Sequence, residues 1–164
     1  MTQEAGISIV GLGLMGASLA MALRKRGYAG RLVAYARREE TRQEAVASGI
    51  VDAAYADPDA AIEGTTLIVL CVPIRSCVEF AGELAPLLQP GMLVTDVGST
   101  KSWICRQMAG LLPPGTFVGS HPIAGSEKQG LQAASADLAS TASFHTTATP
   151  GGTSMPSART DRMH

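Results

Sequence analysis

The spacing of apolar positions changes repeatedly along the chain, and the changes predict strands alternating with helices. Ile7-Ser-Ile-Val10 is a short β-favouring run that ends at Gly11. Met15, Leu19, Ala22 and Leu23 then recur at helical spacing over 15–26. Arg24-Lys25-Arg26 followed by Gly27 places cations and a glycine where a helix C-terminus favours them. A second strand is predicted over 31–35 and a short helix over 39–48, stopped by Gly49; Asp57-Pro-Asp-Ala-Ala reads as a further helix start. Residues 66–72 form a continuous apolar run between Gly64 and Pro73, the pattern of a parallel strand covered on both faces. Val78, Ala81, Leu84 and Leu88 share one face of a crossover helix predicted over 76–88, with a bend at Pro86, whose ring meets the carbonyl of Gly82. A strand over 92–95, a helix over 100–111 and a strand over 116–119, after the Pro113-Pro-Gly turn, complete the order.

That alternation predicts an α/β domain of Rossmann type, a doubly wound and mostly parallel sheet. The pattern stops near residue 138. Fourteen of the last 26 residues are Ser, Thr, Pro or Gly, and the large apolar residues there are Phe144, Met155 and Met163. Residues 1–138 are therefore expected to form the dinucleotide-binding domain, and 139–164 a disordered or non-native tail.

Composition narrows the possible partners. Apolar residues make up 46% and charged residues 16%, so the body is globular rather than a solvated, charge-rich chain. A net charge of -1 gives no field favouring nucleic acid or an anionic membrane, and points to a small-molecule partner. No apolar run approaches the ~20 residues needed to cross a bilayer. The start Met1-Thr-Gln-Glu has no basic segment of a secretory signal, so a cytoplasmic protein is expected. Cys71, Cys77 and Cys105 are odd in number and never form C-x-x-C; they read as reduced core thiols, with no metal framework expected.

Gly11-Leu12-Gly13-Leu14-Met15-Gly16 fits G-x-G-x-x-G. The first glycine makes a tight turn, the second admits a pyrophosphate to the backbone, and the third lets helix and strand pack closely. Eighteen glycines would generate such a triplet about 0.2 times by composition alone. The information therefore lies in the context, a strand before it and an amphipathic helix after it. Where NAD-type folds place an acid for the ribose hydroxyl, this chain has Ala36, followed by Arg37 and Arg38. A guanidinium there suits the 2′-phosphate of NADP, so NADP is favoured over NAD. The alternative is that both arginines are solvated and Glu39 or Glu40 holds the ribose.

Two polar clusters fall where the later strands end: Asp96-Val-Gly-Ser-Thr-Lys101 and Gly119-Ser-His-Pro-Ile-Ala-Gly-Ser-Glu127. Strand carboxyl ends line the ligand crevice of doubly wound sheets. An imidazole at His121 is suited to take a hydroxyl proton as hydride leaves the same carbon, with Ser99 hydrogen-bonding to that hydroxyl or orienting the ring. A structural histidine before proline is the competing reading.

The motifs Gly11-Leu-Gly-Leu-Met-Gly-Ala-Ser, Leu70-Cys-Val-Pro, Asp96-Val-Gly-Ser-Thr-Lys and His121-Pro-Ile-Ala-Gly-Ser-Glu-Lys-Gln-Gly130, in this order and spacing, resemble the prephenate/arogenate dehydrogenase family. The resemblance implies NAD(P)-dependent oxidative decarboxylation of prephenate or arogenate on the route to tyrosine. It assigns deprotonation of the ring hydroxyl to His121, positioning to Ser99, the substrate entrance to Ser126 and Glu127, and cofactor contacts to Val72, Pro73 and Ser99. It requires no metal. Family members continue from this point into another core strand and a helical, homodimer-forming domain. Here the chain enters Ala139-Ser-Thr-Ala-Ser-Phe-His, which reads as a truncation or a change of reading frame, with that domain and strand absent and activity in question. A non-catalytic dinucleotide-binding fragment is the first competing reading. Another Rossmann hydroxyacid dehydrogenase is the second; it shares the glycine loop and Val72-Pro73 but leaves 121–127 unexplained.

Overall fold

A computed structural model describes residues 6–122, 134 and 144–148 of the chain; for 121, 122 and 144–148 it describes the backbone. Strands β1 (Ile7–Val10), β2 (Leu32–Tyr35), β3 (Ala53–Tyr55), β4 (Leu67–Leu70), β5 (Leu93–Asp96) and β6 (Phe117–Pro122) run parallel in the order β3-β2-β1-β4-β5-β6. Helices α1 (Leu14–Lys25), α2 (Glu39–Ala47), α3 (Pro58–Ile62), α4 (Ile74–Leu84) and α5 (Lys101–Leu111) make the crossovers. The chain reverses its direction of travel across the sheet at the β1–β4 seam, where Ile7 registers with Leu67 and Val10 with Leu70. That seam opens the crevice that doubly wound sheets use for dinucleotides.

The strand alternation divides two cores. Ile7 and Ile9 of β1 pack with Ala17 and Ala20 of α1 and Ala45 of α2 on one face. Val10, Ile68 and Leu70 pack on the other with Phe80 and Leu84 of α4 and Ile104 and Met108 of α5. Both faces of β1 and β4 are thereby buried, which is why the 66–72 run lacks polar alternation. Small residues on α1 let that helix lie close to the sheet.

Three differences from the expected elements have local causes. β3 was not anticipated: Ala53-Ala-Tyr55 is three residues long and half-buried throughout, and no alternation marks it. α4 starts at Ile74, directly after Pro73, and ends at Leu84 instead of bending at Pro86. Proline lacks the N–H a continuing helix needs, and the chain closes instead with Leu87 and Leu88 donating to Leu84 O at 2.8 and 3.1 Å. The third is β7 (Phe144–Ala148), inside the stretch that composition marks as a disordered tail. It runs antiparallel to β6, so the outer edge of β6 is paired. Phe144-His-Thr-Thr-Ala is rich in aromatic and β-branched residues, and β6 offers it a free ladder. Among the described residues no helix is long and apolar enough to cross a membrane.

Candidate dinucleotide site at the carboxyl edge of the sheet

The turn after β1 is shaped by glycine at each motif position for a separate reason. Gly11 has φ +98°, and a Cβ there would lie 2.5 Å from Val72 Cγ1 and 2.9 Å from the Cys71 carbonyl. Val72 thus forms the wall against which the turn is pressed. Gly13 is exposed, with nothing within 4 Å of where its Cβ would be. That open face is where a pyrophosphate can reach the backbone. Gly16 is buried, and a Cβ there would overlap the Gly11 carbonyl oxygen. Leu12 is buried in the α1-side core, and Leu14 and Met15 begin the helix. α1 has no side-chain cap on its amino end and no acid in its first turn, so its free N–H groups are available to a phosphate. These features fit a dinucleotide.

Ala36, at the end of β2, is buried and donates its N–H to Tyr55 O at 3.0 Å. Arg37 and Arg38 follow it, both exposed. Arg42, one turn into α2, donates to the carbonyls of Ala36 and Arg37, each at 2.8 Å, and so holds the loop that presents Arg37. Glu39 accepts from Gln43 at 3.0 Å. After β4, Val72 lines the turn, and Pro73 is exposed at the start of α4.

A buried carboxylate joins the two polar clusters. Asp96, at the end of β5, is fully excluded from solvent. Its Oδ2 accepts from the Gly98 N–H at 2.8 Å and pairs with Lys101 Nζ, and its Oδ1 accepts from the Ser120 N–H at 3.3 Å. Ser120 Oγ donates to the Asp96 carbonyl at 2.6 Å and lies 2.8 Å from Thr95 Oγ1, which donates to Val118 O at 2.7 Å. Ser99 is exposed beside Gly98, and His121 follows Ser120 near the end of β6. Each therefore adjoins an amide held by the same carboxylate. Asp96, Lys101, Ser120, Thr95 and Arg42 were missed as site-building residues. The available signal was a lone acid ending an apolar strand with a lysine five positions on, although its burial is a tertiary fact.

Ser126 and Glu127 lie outside the described residues. The thiols are not poised for chemistry. Burial, reinforced by Cys77 and Asp96, pushes Cys71 far above the ordinary thiol range, and burial pushes Cys77 up to about 11. Among the described residues no cluster of three or more His, Cys, Asp or Glu is placed to hold a metal.

The chain is similar to known proteins in sequence and in fold. Residues 19–152 match the family described as prephenate dehydrogenase, nucleotide-binding domain. The chain is 34% identical over 138 residues to a cyclohexadienyl dehydrogenase of Zymomonas mobilis, a match covering 84% of this chain and 47% of that protein. The structure of a prephenate dehydrogenase from A. aeolicus, in complex with hydroxyphenyl propionate and NAD+, superposes with a TM-score of 0.84 at 31% identity, covering 91% of this chain and 52% of that one. Synechocystis arogenate dehydrogenase gives a TM-score of 0.81 at 38% identity, covering 89% of this chain and 51% of that one. The chain thus spans about half the length of these relatives. By sequence and by fold, it belongs to the prephenate dehydrogenase family, as the nucleotide-binding domain.

Proposed function

We propose that the chain forms the cofactor-binding and proton-abstracting half of an NAD(P)-dependent oxidative decarboxylation of prephenate or arogenate. The observation that supports it best is the Asp96 network, which ties the Ser99 loop and the His121 strand to one buried anchor at the crevice. The dinucleotide, held by the Gly11–Gly16 turn and Val72, supplies the hydride acceptor. His121 takes the proton of the ring hydroxyl, and Ser99 hydrogen-bonds that hydroxyl and positions it. Ser126 and Glu127 line the substrate entrance. Loss of carbon dioxide leaves an aromatic ring, so the protein's task is alignment and proton removal. The test is a steady-state assay with prephenate and with arogenate, reading reduced cofactor and released carbon dioxide. Turnover abolished by His121→Ala is the expected result; full turnover in that variant refutes the assignment.

NADP is the favoured cofactor in this reading, because Ala36 replaces an acid and Arg37 and Arg38 stand exposed behind it. Losing one charge-assisted contact of about 1.5 kcal/mol should weaken NADP binding roughly tenfold in Arg37→Ala and leave NAD unchanged. An unchanged NADP affinity favours ribose recognition through Glu39 or Glu40 and NAD, the cofactor in the A. aeolicus structure.

A second reading rests on the glycine turn and the uncapped amino end of α1, which bind a dinucleotide without any substrate chemistry. It is a dinucleotide-binding module without turnover. Saturable cofactor binding with no product from either substrate would select it.

A further inference from the structure

Arg37, Arg38 and Arg42 follow the end of β2 in close succession, and their surroundings differ. Arg37 and Arg38 are exposed, whereas Arg42 is half-buried. Arg42 donates from a single nitrogen, Nη1, to the carbonyls of Ala36 and Arg37, each at 2.8 Å. Those two carbonyls belong to the peptide groups on either side of the Arg37 Cα. A residue has two soft backbone dihedrals, φ and ψ, and both are set once its flanking peptide planes are fixed. The Arg42 clamp therefore fixes the backbone of Arg37 and with it the direction in which the side chain leaves the chain. On the strand side the same loop is tied by the Ala36 N–H, which donates to Tyr55 O at 3.0 Å. Glu39, the nearer acid, accepts from Gln43 one turn along α2.

We propose that Arg42 is a positioning residue for cofactor selectivity, holding Arg37 ready for the 2′-phosphate of NADP. The inference rests on the NADP reading above and adds to it a second residue, one that acts through the loop. A guanidinium on a loop ordered only when the cofactor arrives loses affinity to the entropy of that ordering, and a loop ordered beforehand does not. Arg42 supplies that order without contacting the phosphate. Because one nitrogen makes both bonds, the fork of the guanidinium is not required, and the ammonium of a lysine, with three donors, can take its place.

The test titrates the whole chain calorimetrically with adenosine 2′,5′-bisphosphate and with 5′-AMP, which differ by the 2′-phosphate alone, and reads the ratio of the two affinities. Circular dichroism checks that each variant folds. Wild type should favour the bisphosphate about tenfold, and Arg42→Ala should lower that ratio roughly fivefold. Arg42→Lys should keep most of it. The Arg37→Ala/Arg42→Ala double variant should lose less than the product of the two single losses, because without the Arg37 side chain the clamp has less to position. A general loosening of the fold would weaken both nucleotides alike and leave the ratio unmoved. An unchanged ratio in Arg42→Ala overturns the proposal, as do fully multiplicative losses in the double variant or a ratio in Arg42→Lys as low as in Arg42→Ala. Wild type that binds the two nucleotides equally overturns the NADP reading itself, and this inference with it. A wild-type preference that depends on Arg37 and survives in Arg42→Ala overturns the clamp alone.

Discussion

Replacing Asp96 with alanine removes one acceptor from three donors at once. The Gly98 amide, now bonded at 2.8 Å, loses its partner beneath the half-buried loop, at a cost of about 1–3 kcal/mol for a donor left unsatisfied. The Ser120 amide at 3.3 Å is more weakly held and adds about 1 kcal/mol. The Lys101 side chain retains 16% exposure, so water compensates part of its loss, leaving about 1 kcal/mol. Together these predict a loss of about 3–5 kcal/mol, or a fall in Tm on the order of 10 °C for a chain of this size. Urea unfolding followed by circular dichroism would measure it, with the slope checked for constancy so that the midpoint reports stability. Asp96→Asn keeps an oxygen for one amide and loses the ion pair, and should fall about midway. A loss under ~1 kcal/mol in Asp96→Ala would show that the carboxylate does not anchor the two loops.

The glycine loop predicts a contrast: Gly16→Ala collides with the Gly11 carbonyl and should cost about 3 kcal/mol or prevent folding, whereas Gly13→Ala, at φ -78° in open space, should leave the melting curve nearly unchanged. Dinucleotide titration of Gly13→Ala should nonetheless show weaker binding, and equal destabilisation by the two variants would contradict the separate roles. Cys77 keeps its proton in the folded chain up to about pH 11, against an ordinary value of 9.0 in the unfolded one. Its contribution is therefore complete below pH 9 and lost between pH 9 and about 11, and Cys77→Ser should flatten that part of the stability–pH curve. For Asp52, burial raises the pKa, but the Leu32 amide and Arg24, both at 2.7 Å, outweigh it and hold the carboxyl below its ordinary value. Its contribution is present above the ordinary carboxylate pKa and lost as pH falls through the lowered one. Asp52→Asn should therefore remove part of the acid sensitivity seen in unfolding titrations.

The β1-turn-α1 unit was legible because three constraints coincide within ten residues: a strand, a glycine triad and a helical period. The 66–72 run announced its central place for a similar reason, since burial on both faces removes all polar positions. β3 carries no such mark, because Ala53 and Ala54 suit either class of element. Asp96 was visible as a polar residue in a cluster, but its role depends on Lys101 and Ser120 folding back over it, and residue spacing does not encode that enclosure. β7 was hidden by averaging: Phe144–Ala148 are β-favouring, yet the surrounding Ser, Thr, Pro and Gly dominate any wider window. Its register with β6, and so the pairing of His121 with His145, emerges only when the antiparallel ladder is laid out.

The β1–β4 seam also has a consequence for the order of assembly. The wall of the Gly11 turn is Val72, which arrives only after β2, β3 and the helices between them have been made. A nascent chain ending before β4 would hold the complete glycine motif and its helix but lack the surface that fixes the turn. Closing so long a loop before the seam forms delays the reward for every earlier contact. Cofactor affinity should consequently appear in one step with the central pairing, so dinucleotide binding reports completed folding and gives little shelter to a half-made domain.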